Sequence, residues 1–259
     1  MTSLEYWLNQ FHIFLFVLLR VSALLIVAPI FGGRQFLARA KIGLAFMVSL
    51  VIFPTVLDTP FIIPEGLLPY SLVLLREVFL GIILGFTVLL LFIGIQFAGQ
   101  IGGLQMGFGI VNILDPQSGD QVSIVGQFLN ILATLLVLCF DGHHLIIDGL
   151  VASFEAVPLA GVVFKASIGQ KLIELTATTF VIAIKISAPI ILSLFAVTVA
   201  MGILARTVPQ MNVFIVGFPV QLAVGLFILV ASMPLFNIFL QKSLIVLQRD
   251  LYAILEFLG

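Results

Sequence analysis

The sequence predicts an all-α integral membrane protein, and three observations carry the prediction. Of 259 residues, 62% are hydrophobic and only 9% are charged, with a mean hydropathy of +1.31. Soluble domains carry roughly 25% charged residues. The apolar segments are long and continuous, without the alternation that marks barrel strands. Two of them, Ile186 to Ala205 and Thr207 to Gln241, contain no charge at all. The net charge of -1 argues against nucleic acid as a partner.

Seven apolar segments follow in order: Phe11 to Phe31, Ile42 to Leu57, Ser71 to Ala98, Ser123 to Phe140, His144 to Pro158, Lys171 to Ala205 and Val213 to Leu247. A bilayer core takes about 20 helical residues. The second and fifth segments are short for that, and the last two are about 35 residues each, or roughly 50 Å at 1.5 Å per residue. The long ones are expected to tilt, to kink at Pro189, Pro219 or Pro234, or to extend beyond the bilayer. The first ten residues carry Glu5 and no basic residue, so a cleaved leader is not expected and the first segment reads as a retained helix. Arg34, Arg39 and Lys41 place the first loop in the cytoplasm by the positive-inside rule. Asp58 and Glu65 then face outward, and Lys165, Lys171, Lys242 and Arg249 face inward again. The acidic loop around Asp115 and Asp120 conflicts mildly with that count.

Several residues stand out for their chemistry. Gly99, Gly103 and Gly107 repeat at a spacing of four, which on a helix forms one face that admits another backbone closely. Glycine also costs about 1 kcal/mol per helix position, so the stretch is poorly committed to helix. It reads either as tight helix packing or as a deformable loop. Arg20, Glu77 and Lys185 are charged inside apolar segments, where each needs a partner or water. Pairing between helices or subunits, proton coupling and a water-filled conduit wall are the readings open to them. Asp141, His144 and Asp148 share a helical face with metal-ligand chemistry available. Against a metal there, the neighbouring His143 and His144 are expected to point apart, with Asp141 capping a helix. Met106, Met201, Met211 and Met233 read as core filling, with a compliant channel lining as the second reading. Cys139, the single cysteine, reads as a packed core thiol. No nucleophile triad, phosphate loop or cofactor fingerprint is present, so neither an enzyme nor a cofactor is expected. A secondary transporter with helices broken at Pro189 and Pro219 is the competing class. No internal repeat supports it.

The joint Arg206 to Gln221, RTVPQMNVFIVGFPVQ, is more specific than a hairpin turn requires. Pro209 stops a helix and Asn212 caps the next. Gln210, Phe214 and Pro219 are not needed for a turn, and read as packing against a neighbouring subunit or as lining the entrance of a channel. This wording resembles the FliR family of flagellar type III export-gate proteins, related to the injectisome SctT family. GGLQMGFGIVNILDP at Gly102 to Pro116, DGH at Asp141 to His143 and Ala28-Pro29-Ile30 before a basic loop resemble further parts of that family in the same order.

The resemblance implies a FliP-like helical part over residues 1–160 and a long FliQ-like helical hairpin over 161–259. It implies a plug loop near 99–119, with Met106, Phe108, Ile110, Val111, Ile113 and Asp115 closing a pore and Gly99, Gly103 and Gly107 as packing or hinge positions. The implied function is a non-catalytic, channel-forming subunit of the flagellar protein export gate in the bacterial inner membrane, within the flagellar basal body. Its implied partners are FliP-like and FliQ-like subunits, FlhB, membrane lipid and unfolded export substrates in transit. An injectisome subunit of the same superfamily is the nearest alternative.

Overall fold

A computed structural model describes residues 3–33, 37–57, 66–108, 123–163, 165–208, 210 and 212–259. Among these residues the regular structure is helical: α1 (Ser3–Val27), α2 (Pro29–Gly32), α3 (Ala38–Val56), α4 (Leu67–Gln105), α5 (Ile124–Cys139), α6 (Gly142–Ala156), α7 (Ala166–Thr207), α8 (Val213–Ala231) and α9 (Met233–Leu258). The chain is an all-α integral membrane protein. Helices α1, α3, α4 and α7 are each long and apolar enough to cross a membrane. The broken pairs α5 with α6 and α8 with α9 bring the number to six among the described residues if each pair is one span.

Each of the seven apolar segments contains helix, and of the three prolines expected to kink the long ones, Pro234 adjoins a break while the other two do not. Pro189 and Pro219 lie inside continuous helices, α7 and α8. The break falls at Ser232, where the chain bends by 51° between α8 and α9. Pro234 sits at the second position of α9, where a missing N–H costs nothing because helix starts leave those donors free. Helices α4 and α7 run for 39 and 42 residues. At 1.5 Å per residue that is about 60 Å, twice a bilayer core of about 30 Å.

The chain forms two compact units. The first comprises Met1–Leu90, Asp141–Leu175 and Ile245–Gly259. In it α1 packs against α3, with Phe14 edge-on to Phe46 and Phe53 at 5.5 and 5.7 Å. Helix α4 meets α1 at Gly81 and Gly85, which face the backbone carbonyls of Arg20 and Leu24. His12 Nδ1 and the Tyr70 hydroxyl are hydrogen-bonded at 2.8 Å. Gly149 of α6 packs on Leu251 of α9, and Lys171 of α7 pairs with Asp250 of α9 at 3.2 Å. Beyond α2, the Lys41 ammonium donates to the Gly32 carbonyl at 2.7 Å, tying the start of α3 to the end of that turn.

The second unit comprises Leu91–Phe140 and Thr176–Leu244. Its helices meet through glycines, with Gly94 of α4 against Ile182 of α7 and Gly217 of α8 against Met201. Met106 and Met201 are buried, as core-filling methionines are, and Met233 lines a cavity. Cys139, expected in the core, is exposed. The inward face of α5 is Val125, Leu129, Ala133 and Val137, and Cys139 falls on the other side. In a membrane protein the outer surface is apolar too, so an apolar run does not locate a residue in the interior.

Candidate functional site

The glycine-rich end of α4 remains helical through Gln105, against the expectation that so many glycines resist helix. Close packing offsets their intrinsic cost. Gly99 lies against the backbone of Gly126 in α5, and a side chain on Gly103 would come within 2.5 Å of the Ser123 hydroxyl. Ser123 caps α5 by accepting from the Gly126 amide at 3.3 Å, and its hydroxyl donates to the Gly99 carbonyl at 3.2 Å. Gly99 and Gly103 therefore share the face that their spacing predicts.

Gly107 does not continue that face, because α4 has ended. The Phe108 amide donates to the Gly103 carbonyl at 3.0 Å and the Gly107 amide to the Leu104 carbonyl at 3.1 Å. Gly107 has φ +91°. This is a Schellman stop, which needs a left-handed residue at that place. The stop is packed on α8. Met106 is fully buried with its side chain against Gly225, and a side chain at Gly107 would meet the Phe218 ring at 2.6 Å. Phe108 is half-buried. The remaining plug positions, Ile110, Val111, Ile113 and Asp115, lie outside the described residues.

The intramembrane charges separate into two kinds. Arg20 and Glu77 are both fully buried and form an ion pair, Nε to Oε2 at 2.7 Å. Arg20 Nη1 also donates to the carbonyls of Ser153 and Val157 at 2.8 and 3.1 Å and to the Ser153 hydroxyl at 3.3 Å. The other Glu77 oxygen accepts from the Ala160 amide at 3.0 Å. The guanidinium carbon lies 4.2 Å from the centre of the Phe154 ring, a cation–π geometry. One arginine thus ties α1, α4, α6 and the segment after α6 together. Ala160 holds φ +63° beside this network, an unusual conformation for alanine.

Lys185 differs. It is exposed on α7 and borders a cavity that Lys242 of α9 also borders. Among the described residues neither has a carboxylate partner; for Lys185 the sequence had left a partner or water open.

At the start of α6, Asp141 has φ 55° and makes no capping bond with its side chain. Its carbonyl accepts from the His144 amide at 2.9 Å instead, so the expected side-chain cap is replaced by a backbone turn. His143 and His144 do not point apart. Their rings lie 4.1 Å centre to centre, tilted by 37°, with His144 exposed and His143 half-buried. Donor atoms of Asp141, His143 and His144 lie within 4.8 Å of one another. Asp148, expected in that group, is exposed and apart from it. The three could ligate a divalent metal through two imidazoles and a carboxylate.

In the hairpin turn, α7 ends at Thr207 and the Asn212 side chain accepts from the Ile215 amide at 3.3 Å, so Asn212 caps α8. Gln210 is exposed, Phe214 is in the first turn of α8, and Pro219 sits exposed within it. Pro209 and Met211 lie outside the described residues. Sequence reasoning missed the partners of Arg20 in α6, which are mostly backbone carbonyls and carry no residue signature. It also missed that Lys242, read only as an orientation signal, shares a cavity with Lys185.

These observations define the class first: a membrane-embedded helical protein whose buried polar groups mainly hold helices together. The sequence profile described as "Bacterial export proteins, family 1" matches residues 11–245, and the chain belongs to that family through its FliR members. It is 37% identical over 231 residues to the flagellar biosynthetic protein FliR of Bacillus subtilis (strain 168), covering 87% of this chain and 88% of the relative. It is 34% identical over 236 residues to that of Escherichia coli (strain K12), covering 89% and 88%. The FliR of Aquifex aeolicus (strain VF5) is 27% identical over 238 residues, covering 92% and 90%.

Proposed function

We propose that this chain is a non-catalytic, channel-forming subunit of the flagellar type III protein export gate in the bacterial inner membrane. It passes unfolded flagellar substrates and works with FliP-like and FliQ-like subunits and FlhB. Residues 1–160 serve as the FliP-like part and 161–259 as the FliQ-like hairpin. The stretch from Met106 and Phe108 to Asp115 closes the pore at rest.

The observation that carries this reading is the extent of the FliR relationship, which runs over nearly the whole of both chains rather than one motif. The surface supports an assembled subunit. Leu192, Phe195 and Phe227 are among many large apolar side chains left exposed, the first two on a helix longer than a bilayer requires. Such surfaces mark contacts with lipid or other subunits. The test is replacement of the native subunit in a flagellated bacterium, with motility, filament-protein secretion and co-purification of the partners as readouts. Restored secretion together with a stable complex is the expected result. A well-behaved monomer that carries a small solute into liposomes and does not restore secretion would overturn the reading.

A further inference from the structure

The described residues of the second compact unit are electrostatically unbalanced. They include the cations Lys185, Arg206 and Lys242 and no aspartate or glutamate. Two of the three converge: Lys185 from α7 and Lys242 from α9 line one cavity of about 310 Å³. Its walls are otherwise largely apolar, with Ile190, Leu229, Phe236 and Phe239 prominent. The lip residues Leu235 and Ile238 are 64% and 50% exposed, so the cavity opens onto an apolar surface. Like charges beside apolar walls are costly unless water or an anion meets them, and an anion meets both at once.

We infer that this cavity binds an anionic phospholipid, with its phosphate between Lys185 and Lys242 and an acyl chain along Ile190, Phe236 and Phe239. A phosphate offers several acceptor oxygens in one compact group, which suits two ammonium point charges. Basic pockets between membrane helices take acidic lipid headgroups for this reason. The lipid also supplies the apolar body that the walls require, which a free phosphate does not. A carboxylate on a neighbouring protein would meet the charges and leave much of the apolar volume unfilled. The inference stands apart from the proposed function, since it rests on the two lysines and the apolar walls of this cavity alone.

The test uses the full chain purified with its co-purifying subunits and incubated with phosphatidylglycerol or phosphatidylcholine before native mass spectrometry. The wild type should retain phosphatidylglycerol about tenfold better than phosphatidylcholine, a preference worth one decade in binding constant. The double variant Lys185→Gln with Lys242→Gln should lose the preference, and Lys185→Arg with Lys242→Arg should keep it. Ile190→Trp, which fills the cavity and retains both charges, should also expel the lipid. That variant separates loss of the site from loss of charge, with helix content by circular dichroism confirming the fold. Millimolar inorganic phosphate should not displace the lipid; displacement would mean a simple anion site. Equal retention of both lipids, unchanged retention in the double or tryptophan variants, or crosslinking of Ile238→Cys to a protein neighbour with no lipid held would each overturn the inference.

Discussion

Arg20 Nε meets Glu77 Oε2 at 2.7 Å with both side chains fully buried, and the same guanidinium reaches the carbonyls that end α6. The pair holds three helices at one point, so its loss should be structural before it is functional. Removing one member of a buried pair costs about 3–5 kcal/mol, because the other charge is left without a partner. Arg20→Ala and Glu77→Gln should each lower complex yield and thermal stability. Replacing both with Met should cost less than the sum of the single changes. A double-mutant cycle on the purified complex measures this, and strict additivity would show that the two do not act together.

Gly99 and Gly103 should resist any side chain. Gly99→Val places branched carbons where Gly126 backbone lies, and Gly103→Val displaces the Ser123 cap. Both should reduce assembled complex severalfold, while Gly43→Val, at a glycine with open space around it, should be tolerated. Membrane-fraction yield and motility are the readouts.

Gly107 combines two demands, which substitutions can separate. Gly107→Ala should cost about 1–2 kcal/mol from its left-handed conformation and more from the Phe218 ring that its side chain meets. Phe218→Ala in the same chain should recover the second part only. Gly107→Asn should suffer less from the backbone, since Asn tolerates the left-handed region. Thermal melting of the three variants in the complex checks the ordering.

Asn212 should matter as a cap, and the rest of the turn should matter for something else. Asn212→Ala should cost about 1 kcal/mol, and Asn212→Asp should be nearly neutral. Replacing Pro209 to Asn212 with a generic Gly-Asn turn should preserve helix content by circular dichroism but impair secretion. Wild-type secretion with that turn would make the segment a connector only.

Cys139 should react with a membrane-permeant maleimide without prior unfolding, because it lies outside the packed face of α5. Protection that disappears only on denaturation would return it to the interior.

Much of the architecture was legible because hydrophobic length and helix boundaries are local properties. The cap at Asn212 and the small-residue face of Gly99 and Gly103 follow from residue type and spacing, while the turn at Ala28-Pro29 came only with the family resemblance. What escaped is non-local. Nothing in the wording of α6 announces that its last carbonyls receive Arg20, since backbone carbonyls exist everywhere. Hydropathy could not choose among Pro189, Pro219 and Pro234 either. Pro189 and Pro219 sit inside continuous helices, and the break at Ser232 leaves Pro234 in a helix's first turn. Cys139 was misplaced for a different reason, because an apolar environment in this class lies on both sides of a helix.

The Ser123 hydroxyl serves two helices at once: it accepts from the Gly126 amide at the start of α5 and donates to the Gly99 carbonyl in the last turns of α4. One oxygen thus pins the start of one helix to the flank of another. A single Ser123→Ala change would release both together, uncapping α5 and freeing α4 from it in the same stroke.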